Sequence, residues 1–97
     1  MATSRDYKDY VLDQLSSLDI TCKMMMGEYL LYYDGALFGG IYDDRLLVKK
    51  TNSNLKYNME EALPYQGAKM MYLVDEVDNS EILKDIVLDT INGLKNS

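Results

Sequence analysis

The sequence contains no histidine, which removes Ser-His-Asp and Cys-His catalysis, imidazole ligands for zinc and the commonest general base near neutral pH. Cys22 is the single cysteine, so neither an intramolecular disulfide nor a cysteine-rich zinc cluster can form, and a reducing, cytoplasmic compartment is expected. With one proline in 97 residues there is no Pro-rich linker, and no repeat or low-complexity segment divides the chain. The opening residues Met1-Ala2-Thr3-Ser4-Arg5-Asp6 run into charge where an export signal would have an apolar segment. No apolar run approaches the length of a membrane span. Basic residues are also few: ten Lys and Arg stand against sixteen Asp and Glu, a formal charge of −6. That is the wrong sign for affinity gained by neutralising phosphates, so direct nucleic-acid binding is not expected. Hydrophobic residues at 47% are enough for a globular core. A chain this short buries only about 60–65% of its unfolded surface, which leaves a homodimer open as a way to bury more.

Periodicity supplies the elements. Thr3 or Ser4 caps a helix near residues 4–18, whose Tyr7, Tyr10, Val11, Leu15 and Leu18 recur at spacings of three and four. Ile20, Cys22, Met24 and Met26 alternate with Thr21 and Lys23 up to Gly27, the pattern of a strand with one buried face. Tyr29 to Tyr33 is a second strand, and Asp34-Gly35 suits the positive φ values of a type I′ turn into a third strand, Ala36 to Tyr42. Gly39-Gly40 inside that strand signals a bulge or a close approach. Asp43-Asp44 then turns the chain into Arg45 to Lys49, completing an antiparallel meander.

Beyond the meander, Thr51 to Asn54 offer capping oxygens to a short amphipathic helix through Leu55, Met59, Ala62 and Leu63, stopped by Pro64. Met70 to Val74 reads as a further strand. Asp78-Asn79-Ser80 leads into a helix with Ile82, Leu83, Ile86, Val87, Ile91 and Leu94 on its apolar side, with Asn92-Gly93 as its C-terminal stop. The order implies one α+β domain over residues 1–97, with an N-terminal helix, an antiparallel β-meander, a short helix, a further strand and a C-terminal helix, the helices packed on one face of the sheet.

Candidate chemistry is sparse. The acidic pairs and triplet Asp43-Asp44, Glu60-Glu61 and Asp75-Glu76-Asp78 could serve hard cations. Read from Asp75, however, Val77, Asn79 and Ser80 stand where a calcium loop needs two oxygen ligands and a glycine, so solvated turns explain the acids better. Cys22 has no histidine to activate it and reads as a packed structural thiol. Gly35 to Gly40 matches neither a dinucleotide fingerprint nor a Walker loop. The residues out of proportion are nine tyrosines and seven methionines, which suit either a core rimmed by hydroxyls or an adaptable partner-binding surface. The core reading is preferred, because strand alternation sends some of them inward whatever the function.

The run Lys23-Met24-Met25-Met26-Gly27-Glu28-Tyr29-Leu30-Leu31-Tyr32-Tyr33-Asp34-Gly35, with Phe38 and Asp43-Asp44-Arg45-Leu46-Leu47-Val48-Lys49 after it, resembles the N-terminal domain of the TfoX/Sxy competence regulators. Met25, Gly27, Tyr32, Gly35, Phe38, Leu46 and Lys49 fall on matching positions, and Pro64-Tyr65-Gln66-Gly67, Met71-Tyr72 and Glu76-Val77 extend the likeness over about residues 4–95. Lys23 replaces the usual Arg, Met26 a Phe and Glu28 a second Gly. The resemblance implies a stand-alone N-terminal module with an α+β, secretion-chaperone-like fold. It further implies a non-enzymatic, cytoplasmic, bacterial regulatory or protein-interaction domain acting in transcription or competence control through a protein partner, such as a component of the transcription machinery. No cofactor or metal is expected. Lys23, Tyr29, Tyr32, Phe38 and Lys49 are the expected interaction residues. The competing reading is a small-molecule-binding or enzymatic α+β domain that uses tyrosines and a lysine, Lys49 or Lys23, near Gly39-Gly40. A concave site with a proton-poor lysine beside tyrosine hydroxyls would mark it.

Overall fold

A computed structural model describes residues 3–96. Helix α1 (Arg5–Gln14) leads into strands β1 (Ile20–Met25), β2 (Glu28–Tyr33), β3 (Ala36–Tyr42) and β4 (Arg45–Val48). After a 3₁₀ turn (Leu55–Tyr57) come β5 (Glu61–Ala62), β6 (Met71–Leu73) and helix α2 (Ser80–Lys95). The strands form one antiparallel sheet in the order β1-β2-β3-β4-β6-β5, so the meander is present and the fold is α+β.

Local chemistry accounts for most element ends. Ser4 is the N-cap of α1, its hydroxyl accepting from the Tyr7 N–H, and Asn79 does the same for α2 toward the Ile82 N–H. Helix α1 stops four residues short of the expected Leu18, because Ser16 and Ser17 are weak helix formers and a tight turn, with the Leu18 N–H on the Leu15 carbonyl at 2.9 Å, brings Leu15 fully inside. All three connections between β1 and β4 are two-residue turns with positive φ at both positions: Met26-Gly27, Asp34-Gly35 and Asp43-Asp44. Gly27, which in the sequence reads only as a break in the alternation, closes a hairpin that pairs Met25 with Glu28.

Three expectations are corrected. Met24 and Met26 do not line a buried face: they are 63% and 95% exposed, since β1 is an edge strand and the core reaches only Ile20 and Cys22 along it. The helix expected through Leu63 is only the 3₁₀ turn, ended by Asn58 in the left-handed region at φ 54°, and Glu61-Ala62 extend to pair with β6 instead. Asn92-Gly93 does not stop α2, which continues to Lys95. Gly93 is there because the helix lies against the 51–53 loop, where an added Cβ would come within 2.5 Å of the Thr51 hydroxyl.

Both helices pack on the same side of the sheet. Val11 and Leu15 of α1 and Leu83, Ile86, Val87 and Ile91 of α2 share a core with Leu31, Phe38, Ile41, Leu46, Val48 and Tyr72. Phe38 is the extra residue of a bulge, because the β2–β3 register passes from Leu31↔Gly39 to Tyr32↔Leu37. Period-two alternation puts Lys23, Leu30, Gly40, Leu47 and Leu73 in one row on the opposite, helix-free side. Glu28 fastens the entry to α1: its carboxylate accepts from the Thr3 hydroxyl at 2.8 Å and from the Asp43 N–H at 3.1 Å.

The 3₁₀ turn is held to α2 by Tyr57, whose hydroxyl donates to Asp89 at 2.5 Å while Lys56 lies 3.1 Å from the same oxygen. Burial first, and this bond second, push the Tyr57 hydroxyl from its ordinary 10.0 up to about 12. The same bond first, with Lys56, holds Asp89 below its usual value. A raised folded value means stability complete below pH 10 and lost as the pH climbs toward about 12; a lowered carboxylate means stability lost as the pH falls below the usual carboxylate range. Tyr57→Phe is therefore expected to flatten the alkaline limb of a stability-against-pH curve, as read by denaturant midpoints between pH 8 and 12. An unchanged limb would remove Tyr57 as its cause.

Candidate functional site

The helix-free side is not bare over its whole width. Leu47 is fully buried and Tyr42 is 6% exposed, although both lie on the face away from the helices. The 63–70 loop folds back on this side and covers Tyr42. Arg45 donates to the Leu63 carbonyl at 3.0 Å, Pro64 is buried, and the loop turns at Tyr65 to Ala68 (3.2 Å) with Gly67 at φ 90°. The Tyr42 ring lies over Gly40, where an added Cβ would meet it at 2.7 Å, and it meets the Tyr65 ring at 6.1 Å between centroids and 50° between planes.

Between this loop and the sheet lies a pocket of about 810 Å³ lined by Leu37, Gly39, Tyr42, Lys49, Lys50, Glu61, Pro64, Tyr65, Gly67, Ala68, Lys69, Met70 and Met71. Three lysines thus meet at one concavity of a protein with an acidic surplus. Two other concavities, about 310 and 360 Å³, are lined instead by Asp44, Asp75 and Asp78 with Arg45, and by Glu60, Asp75 and Glu76.

Each lysine is placed differently. The Lys49 N–H donates to the Phe38 carbonyl at 2.9 Å and its carbonyl accepts from Asn54 Nδ2 at 2.8 Å, so its backbone is fixed from two sides. Asn54 is fully buried and also donates to the Thr90 hydroxyl at 2.9 Å, which ties the pocket wall to α2. Lys50 pairs with Glu61 at 2.9 Å, and that bond holds its ammonium above the usual value, the opposite of a lysine prepared as a base. Lys49 and Lys69 have no ion-pair partner among the described residues. Burial first, then the neighbouring Tyr65 and Glu28, raise the Tyr42 hydroxyl. It stays protonated and can donate. The lysines and tyrosines can hold an anion; among the described residues no three Cys, Asp or Glu side chains are placed to share a metal ion.

Of the five residues expected from sequence, only Lys49 lines the pocket. Tyr32 is half-buried and Lys23 exposed on the same helix-free side, toward the β1 edge. Tyr29 and Phe38 face the core, at 7% and 0% exposure, with Lys8 lying 5.4 Å over the Tyr29 ring. The structure therefore joins Lys49 to Tyr42, Tyr65 and Gly39 and separates it from Lys23. Sequence reading missed Lys50, Lys69 and Tyr65, because the return of the 63–70 loop beneath the sheet is a long-range contact. The local signal was the Pro64-Tyr65-Gln66-Gly67 turn followed by Lys69.

Fold and site together define a single-sheet α+β domain with helices on one face and a lysine-lined pocket on the other. No family model matches the chain. It is 38% identical over 80 residues, spanning 79% of this chain and 70% of the other, to the uncharacterized 12.7 kDa protein in the trpE 5′ region of Spirochaeta aurantia. The chain belongs to the family of that protein. Among the described residues no helix is long and apolar enough to cross a membrane.

Proposed function

We propose that the protein is a non-enzymatic, cytoplasmic regulatory domain of the TfoX N-terminal type that acts by binding a protein partner in transcription or competence control. The observation that carries this reading is the uncovered half of the helix-free face, where Lys23, Met25, Leu30 and Tyr32 are exposed or half-buried beside the edge strand. Methionine and tyrosine with a cation at the margin make an adaptable surface for a protein partner. The TfoX part of the reading is supported by the motif residues Met25, Gly27, Tyr32, Gly35, Phe38, Leu46 and Lys49.

Affinity co-purification from the native cell at moderate salt, comparing wild type with a Lys23→Glu, Tyr32→Ala variant of matched stability, tests it. Recovery of a transcription component that the variant loses by about tenfold, as expected for an interface anchor worth more than about 1 kcal/mol, would support the reading. Equal recovery by both proteins, or none by either, would overturn it.

A further inference from the structure

We infer that the pocket between β3, β4 and the 63–70 loop is a binding site for a small organic anion carrying an apolar, ring-sized body. Charge points to it first. Lys8, Lys50, Lys56, Lys84 and Lys95 each lie within ion-pair distance of a carboxylate, which leaves Lys23, Lys49 and Lys69 as the lysines without an ion-pair partner among the described residues. Two of those three line this pocket, and Glu61, the one acid among its described lining residues, is engaged by Lys50 at 2.9 Å. A protein of net charge −6 thus presents a local excess of positive charge in one concave place. A low-dielectric wall under such a charge focuses its field on whatever enters.

Shape points the same way. The pocket holds about 810 Å³, within the roughly 300–1,000 Å³ typical of small-ligand sites. Leu37, Tyr42, Tyr65 and Met70 give it an apolar lining, and the tilted tyrosine pair can take a flat ring beside it. Lysines are point charges without the planar fork of arginine. The site accordingly accepts a carboxylate or a phosphate monoester alike, and the ring supplies the rest of the affinity. The pocket is separate from the proposed partner surface, which contains Lys23, Met25 and Tyr32.

Three probes with the same ring test it: 2-naphthoate, 2-naphthyl phosphate and the neutral 2-naphthamide, titrated against the intact protein at low and physiological salt. At least one anion is expected to bind with a Kd on the order of 10⁻⁴ M, about tenfold tighter than the amide, and to weaken as salt rises. The tighter of the two anions identifies the head group. In a Lys49→Gln, Lys69→Gln variant the advantage of the anion over the amide should shrink to within about twofold, while Lys23→Gln should keep it. Both substitutions are on partly or fully exposed side chains, so thermal melts of the variants should match wild type. Anions that bind no tighter than the amide, an advantage that survives the double substitution, or an equal loss in Lys23→Gln would each overturn the inference.

Discussion

Phe38→Ala is expected to cost about 3–5 kcal/mol of folding free energy. Phe38 is the bulkiest of the fully buried side chains, and it enters the shared core of the two helices from the bulge in β3. The loss has two parts, the transfer free energy of the ring and the cavity left behind. Backbone on both sides is tied down, through the Leu31↔Gly39 pairing and the Lys49 N–H on the Phe38 carbonyl, so the walls can collapse only in part. Gly39 adds to this rigidity, because even a Cβ there would lie 2.3 Å from the Leu47 carbonyl. Domains of this size have about 5–15 kcal/mol in total, and small ones sit toward the lower end. Urea titration should show a much lower midpoint at unchanged slope. Wild-type stability combined with lost partner binding would instead place the ring at an interface.

Asn54→Ala is expected to cost about 2–4 kcal/mol through hydrogen bonding alone, with almost no apolar area involved. The Asn54 amide donates to the Lys49 carbonyl and the Thr90 hydroxyl and accepts from the Thr51 N–H at 3.0 Å, all with the side chain fully buried. Thr90 already gives its own proton to the Ile86 carbonyl at 2.7 Å, so it accepts from Asn54 and has no other donor in this network. Truncation strands those groups away from water, which costs more than the bonds themselves contributed. The change also frees the Thr51 N–H and the carbonyl of Lys49, so amide exchange at Thr51 and its neighbours over 49–54 should quicken beyond what the global destabilisation explains. Protection that falls uniformly across the protein would mean that Asn54 supports the fold without specifically holding the pocket wall.

The meander was legible because its turns carry their own chemistry. Asp34-Gly35 can hold two positive φ values with little strain, and the β2 and β3 boundaries followed from it. Asp43-Asp44 does the same at φ 52° and 57° without glycine, which the short polar side chain tolerates. The 55–63 segment misled for the opposite reason. Leu55, Met59, Ala62 and Leu63 have helical spacing, yet pairing with β6 outweighs that preference, and Leu55 is left 60% exposed. Periodicity also separates Tyr29 from Tyr32 by face without saying which face is covered. That depends on where α1 and α2 dock, and it decided that Tyr29 is core while Tyr32 lies on the helix-free side. The pocket was half legible: Lys49 and the Gly39-Gly40 region pointed to it, whereas its second unpaired lysine arrives from residue 69 on a loop whose position no local pattern encodes.

Binding on the helix-free face is tested by a two-dimensional amide NMR titration of the isotope-labelled protein with 2-naphthoate and 2-naphthyl phosphate. The largest shifts are expected on Gly39, Tyr42, Lys49, Gly67 and Met70, with Val11, Leu83 and Val87 unmoved. Largest shifts on α1 or α2 would contradict it.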